Sequence, residues 1–229
     1  MLVILSVGQA NAVSLTISSP DADTYLKGDD VNTNFGSSFE LRSKKQSATI
    51  HSAIRFDFSE MGTASITSAT LRLNCFSVTA GDVNVARLTT TAWTELGATW
   101  SKYDGTNNWP VAGGDYGATE DTQTINTTGW HEWDVLTAVE WAYDNTASVV
   151  DLMIHSDGVG GTPFLRFYSR DHTDSWPQLV IEYTGPDTAS VCNNIGTKDY
   201  CDFEGTILFN GSADAGTISY QDNTGTSQY

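Results

Sequence analysis

The sequence predicts an all-β protein, an antiparallel β-sandwich of jelly-roll-like form with one short helix and a C-terminal extension. Three observations carry this. Short stretches of strict apolar/polar alternation recur along the chain. Turn clusters rich in Gly, Asn, Ser and Thr separate them, and the chain holds 20 glycines. Only one stretch has helical spacing, beside an Asp suited to cap it.

The alternating runs begin at Val13–Ser18 and continue through Phe39–Arg42, after the turn Asn34-Phe35-Gly36-Ser37. In Ser52–Phe58, Ile54, Phe56 and Phe58 share one face, and Ala53, Arg55 and Asp57 share the other. In Ala69–Phe76, Leu71, Leu73 and Cys75 face one way and Arg72 and Asn74 the other. Val83–Leu88, Gln123–Asn126, Val149–His155, Leu165–Tyr168 and Leu179–Tyr183 complete the series. The helix is expected near Val135–Ala142, with Asp134 as N-cap and Val135, Leu136, Val139 and Trp141 covering one end of the sandwich.

The composition divides the 229 residues into a leading segment 1–18, a sandwich 19–184 and an extension 185–229. The apolar run Leu2–Val7 reads as a signal remnant or as a first strand, and Ala10-Asn11-Ala12 resembles a cleavage site. Thr184-Gly185-Pro186-Asp187 reads as a linker or sharp turn. Beyond it lie the strand-like runs Thr206–Phe209 and Thr217–Tyr220, and Cys192 with Cys201, close enough to form a disulfide in an extracellular protein. Cys75 reads as a buried thiol.

A formal charge of −17 argues against nucleic acid and anionic membranes as partners. No stretch is long enough to span a bilayer, so membrane insertion is not expected. The four histidines are scattered without an HExxH or GxSxG pattern, so no enzyme is read here.

Several short strings combine into a pattern: Asp21-Ala22-Asp23-Thr24-Tyr25, Asn34-Phe35-Gly36-Ser37, Ile54-Arg55-Phe56-Asp57 and Ser68-Ala69-Thr70-Leu71-Arg72-Leu73. Ala92-Trp93-Thr94-Glu95, Ala98-Thr99-Trp100, Trp133-Asp134-Val135, Phe167-Tyr168-Ser169-Arg170 and Pro177-Gln178-Leu179 extend it. Over residues 19–184 the chain resembles the DNRLRE-domain family, itself similar to alginate-binding carbohydrate-binding modules, although the literal string DNRLRE is absent. The resemblance implies a non-catalytic jelly-roll-like module of secreted, surface or phage structural proteins. By the same resemblance, related alginate binders use a basic groove in this N-terminal part.

Lys27, Arg42, Lys44, Lys45 and Arg55 concentrate positive charge in the first quarter of an acidic chain. Arg42 and Lys44 have strand spacing and share a face, and Tyr25 stands near Lys27. The expected ligand is therefore an acidic polysaccharide, bound by Tyr25, Lys27, Arg42, Lys44 and Lys45. The competing reading is that these cations pair with Asp29, Asp30 and Glu40. Trp109, in a long loop, is the expected exposed platform, with Trp176 next, whereas Trp93, Trp100, Trp130 and Trp133 read as packing residues.

No cofactor is required, but Asp21 and Asp23, near Asp29 and Asp30, are candidate ligands for a structural Ca²⁺. Asp115, Glu120 and Asp121 form a second acidic cluster. The alternative function is a structural subunit of an assembly, such as a virion decoration protein or surface filament. Neighbouring subunits would then pair with strands at the two ends of the chain. The expected location is extracellular, at the cell surface, or on the virion surface.

Overall fold

The computed structural model describes residues 12–184 except 46–47, 62–64 and 158–162, together with the backbone of Tyr220–Gln221 and Ser227–Gln228. The apolar runs and the cysteines of the two ends (Leu2–Val7, Cys192, Cys201, Thr206–Phe209 and Thr217–Tyr220 apart from the Tyr220 backbone) lie outside the described residues.

Eleven strands build the compact unit Ala12–Thr184. They are β1 (Ala12–Ile17), β2 (Ala22–Lys27), β3 (Glu40–Lys44), β4 (Ile50–Asp57), β5 (Ser65–Thr79) and β6 (Gly81–Leu88). After a long excursion come β7 (Tyr116–Ile125), β8 (Gly129–Asp134), the helix α1 (Leu136–Asn145), β9 (Val149–His155), β10 (Phe164–Tyr168) and β11 (Gln178–Thr184). Every pairing is antiparallel, in the order β1-β11-β5-β10-β3-β4-β9-β6-β7, with β8 added to β5 and β2 to β4. In the second unit, β12 (Tyr220–Gln221) pairs with β13 (Ser227–Gln228).

The alternation sets the main core. Ile54 and Phe56 from β4, Leu71, Leu73 and Cys75 from β5, and Leu152 and Ile154 from β9 are all buried in it. The sheet curls round this core: Trp133 of β8 donates its indole N–H to the Val83 carbonyl of β6 at 3.0 Å and meets Phe167 of β10 edge to face. Fully burying such a side chain contributes about 1.5–3 kcal/mol.

The helix begins and ends later than expected, at Leu136 and Asn145. Val135, Ala138, Val139 and Ala142 form its buried stripe at the i, i+3, i+4, i+7 spacing, while Trp141 falls off that stripe and is exposed. The N-cap is Val135 rather than Asp134, although the Asp134 carboxylate still accepts the Leu136 N–H at 2.9 Å.

A second core lies on the back of β4, β9 and β6. The excursion between β6 and β7 folds over it, so that Trp93, Ala98 and Trp109 pack on Ala53, Leu88 and Met153, joined by Ala22 and Leu26 of β2. The turn Asn34–Ser37 docks on this excursion. Asn34 donates from its side-chain amide to the carbonyls of Glu95 (2.7 Å) and Ala98 (2.6 Å), and its Oδ1 accepts the Gly36 N–H.

A Cβ on Gly36 would collide with the Glu95 carbonyl, a backbone group that cannot swing aside. Gly36→Ala is therefore expected to cost at least about 1–3 kcal/mol, as overpacking does. Chemical denaturation measures it, and an unchanged midpoint would show that the turn can lift off the excursion.

Candidate functional site

Strand alternation places Glu40, Arg42 and Lys44 of β3 on one face, and Phe164, Arg166 and Tyr168 of β10 on one face. The register makes them three cross-strand pairs: Tyr168 with Glu40, Arg166 with Arg42, and Phe164 with Lys44. Two arginines directly opposite one another would repel. The buried Glu40 carboxylate lies between them, accepting from Arg42 Nε at 2.8 Å and from Arg166 Nε. Burial alone would push the Glu40 carboxyl up, but the hydrogen bonds from Arg166 and Arg42 outweigh it and hold the group below its ordinary value.

Aromatic rings back each cation. The Arg42 guanidinium lies 4.6 Å from the Tyr25 ring centre, Arg166 4.9 Å from Phe76, and the Lys44 ammonium 5.4 Å from Phe164. Tyr168 is stacked between Phe76 (4.6 Å) and His172 (4.0 Å). Phe39 tilts against Phe76 and His172 and is 51% exposed. The result is a face with three cations, one carboxylate and an exposed ring at its end.

The residues selected from sequence fare differently. Arg42 and Lys44 are on this face. Tyr25 is beneath it rather than on it, only 4% exposed and sandwiched between Arg42 and the stacked ring of Phe35 at 4.1 Å. Lys27 pairs with Asp29 at 3.1 Å, and Arg42 pairs with Glu40, as the competing reading expects. Asp30 instead accepts from the Thr33 hydroxyl. Lys45 is exposed and acts electrostatically on His51 and His155, away from the cross-strand pairs.

Trp109 is not a platform. It is 5% exposed and donates its indole N–H to the Thr99 carbonyl at 2.8 Å, because the excursion that carries it folds back as a core-forming segment. Trp93 and Trp133 are buried as expected, but Trp130 is exposed, with Arg72 over its ring. Trp176 is exposed. Sequence reasoning passed over Phe39, Arg166 and Tyr168, although the alternation in Phe164–Tyr168 was there to be read.

The acidic residues do not gather as the sequence grouped them. Asp21 turns its carboxylate to the Asp57 N–H at 2.7 Å. Asp23 instead meets Glu95 and Asp171, with ligand atoms within 4.8 Å of one another. The donor type suits Ca²⁺. However, the Arg170 guanidinium already bonds the Asp21 carbonyl and lies 3.3 Å from the Glu95 carboxylate. With this charge in place, adding Ca²⁺ or EDTA is expected to leave the melting temperature unchanged. A Ca²⁺-dependent rise abolished by Asp23→Asn would assign the triad to the ion.

The fold is that of a β-sandwich module, and one of its sheet faces is cationic and edged by aromatic rings. The chain belongs to carbohydrate-binding module family 96, whose family model matches residues 14–183, and it is in that sense a carbohydrate-binding module. No curated protein matches it. Among the described residues, no helix is long and apolar enough to cross a membrane.

Proposed function

We propose that the β3–β10 face binds an acidic polysaccharide outside the cell. The observation that carries this reading is the pair of arginines held on a single buried carboxylate, with Lys44 on the same face and the exposed ring of Phe39 beside them. Uronate carboxylates would pair with the outward N–H groups of Arg42 and Arg166 and with the Lys44 ammonium. A pyranose ring would lie on Phe39. The chain's overall charge of −17 repels a polyanion at long range. The attraction is therefore local, and it must fall with salt.

Affinity electrophoresis in gels containing alginate, against gels containing a neutral glucan, tests this. Lys44→Ala and Phe39→Ala leave Glu40 paired, and each is expected to weaken retention about tenfold, the value of one lost charged hydrogen bond or contact. Arg166→Lys keeps the charge but loses the planar fork, and it should weaken retention by a similar factor. Equal retention by both gels, or retention indifferent to salt, would overturn the acidic-ligand reading.

The other reading, a structural subunit joined to its neighbours through the chain ends, concerns residues outside those described. Its signature is a repeating assembly in sedimentation that retains no glycan.

A further inference from the structure

We infer that His51 and His155 form a two-histidine site for a divalent transition-metal ion of the Zn²⁺, Ni²⁺ or Cu²⁺ class. His51 on β4 and His155 on β9 project from the sheet face that carries Ala53 and Met153, at the end away from Arg55. Both imidazoles are fixed through Nδ1. That of His51 lies 2.9 Å from the Gly113 carbonyl, and that of His155 lies 3.2 Å from the Asp157 carboxylate. Neither partner can donate, so each Nδ1 carries the proton and each Nε2 keeps a free lone pair.

The Asp157 carboxylate is itself held, by the Asn84 amide at 2.6 Å, and Asn84 in turn accepts from the Thr122 hydroxyl at 2.7 Å. A carboxylate that orients a histidine through Nδ1–H is the usual support of a metal ligand.

The second observation is an unmet polar atom. His155 is 3% exposed, and its Nε2 has no hydrogen-bond partner among the described residues. A buried acceptor left this way costs about 1–3 kcal/mol, so the site calls for a donor or a cation. The spacing suits a cation. With metal–nitrogen bonds of about 2.0–2.1 Å and ring centres about 1.1 Å further out, two ligating imidazoles have centres about 5–6 Å apart. Here the centres are 5.9 Å apart, with the rings at 65°.

Trp100 and Tyr116 wall the pair, Tyr116 stacking on His155 at 4.4 Å. Imidazole donors select Zn²⁺, Ni²⁺ or Cu²⁺ over Ca²⁺.

The charges facing the pair are Asp157, which favours a cation, and Lys45, which opposes it.

The test uses the full chain with its accessible thiols alkylated, titrated with Cu²⁺ and followed by electron paramagnetic resonance at pH 7.0. The expected result is one equivalent bound, with nitrogen superhyperfine structure from two imidazoles. Asp157→Asn, at the exposed side of the site, is expected to weaken binding about 10–100-fold, and His155→Gln to abolish it. Folded wild-type protein that takes up no stoichiometric Cu²⁺ overturns the assignment without any variant. So does a signal that survives both substitutions unchanged.

Discussion

Arg55→Ala is expected to destabilise the sandwich by about 3 kcal/mol, at the low end of the cost of orphaning one member of a buried ion pair. Arg55 of β4 sits opposite Asp151 of β9 and grips its carboxylate with two N–H groups, at 2.8 and 3.2 Å. The Trp93 indole donates to the same carboxylate at 2.6 Å, and the guanidinium lies over the Trp93 ring. Asp151 is 3% exposed, and burial already raises its pKa despite the opposing pull of Arg55. Without the arginine, a lone carboxylate would face the second core.

The low end is the right choice because the Arg55 side chain keeps 22% exposure, which lets water reach part of the pair. For a domain of this size the loss corresponds to a fall in melting temperature of about 6–12 °C. Arg55→Met combined with Asp151→Leu should cost much less than Arg55→Ala alone, since apolar replacement removes both charges. A single-variant loss below about 1 kcal/mol would mean that solvent already reaches Asp151.

The second large effect is a pair of opposed pH dependences. Burial first, with Glu95 and Asp171 adding to it and the Arg170 N–H and charge opposing, pushes the Asp23 carboxyl up to about 7. Burial pushes His51 down to about 4. Between about pH 4 and 7 the folded state holds a proton on Asp23 that the unfolded chain has released. The contribution of Asp23 to stability is therefore greatest below about pH 4 and declines as the pH rises towards 7.

His51 has the opposite sign. Its contribution is complete above about pH 6.5 and is lost as the pH falls towards 4, because the unfolded chain takes up a proton the folded state refuses. Burial lowers His155 too, in the same sense.

In EDTA, the stability of Asp23→Asn relative to wild type should therefore fall on acidification from pH 7.5 to 4.5, and that of His51→Gln should rise. Each change has a ceiling of a few kcal/mol, at about 1.4 kcal/mol per pKa unit. Urea midpoints at three pH values read both. Profiles parallel to wild type would mean that neither group is desolvated in the folded protein.

The strands legible from sequence are those with one apolar and one polar face, such as Ser52–Phe58 and Ala69–Phe76. β2 was passed over because Asp23 and Thr24 are buried alongside Leu26, which leaves no alternation to see. β8 shows no alternating run either, since Trp133 is its one buried residue and Trp130 falls on the other face.

The candidate face was half legible. Spacing alone puts Arg42 beside Lys44, and it puts Phe164, Arg166 and Tyr168 together. That Arg166 lies opposite Arg42 is a matter of register between segments more than a hundred residues apart, which hydrophobic pattern does not specify. Trp109 misled for a related reason. A Gly/Asn-rich loop reads as exposed, and nothing local announces that it folds back over the sheet.

The pairing of β1 with β11 brings Ala12 opposite Thr184, so the module's first and last residues are neighbours. Chain enters and leaves the sandwich at one point. Such a module behaves as a plug-in unit: it can be spliced into a surface loop of a host protein without prising that loop apart, and a short bridge across the two ends would allow circular permutation. The same closure joins residues almost a whole module apart in sequence. The β1–β11 ladder thus carries a high loop-closure entropy, and its formation is expected late in folding, after β3 has paired with β4, where Lys44 meets Ile50 close by in sequence.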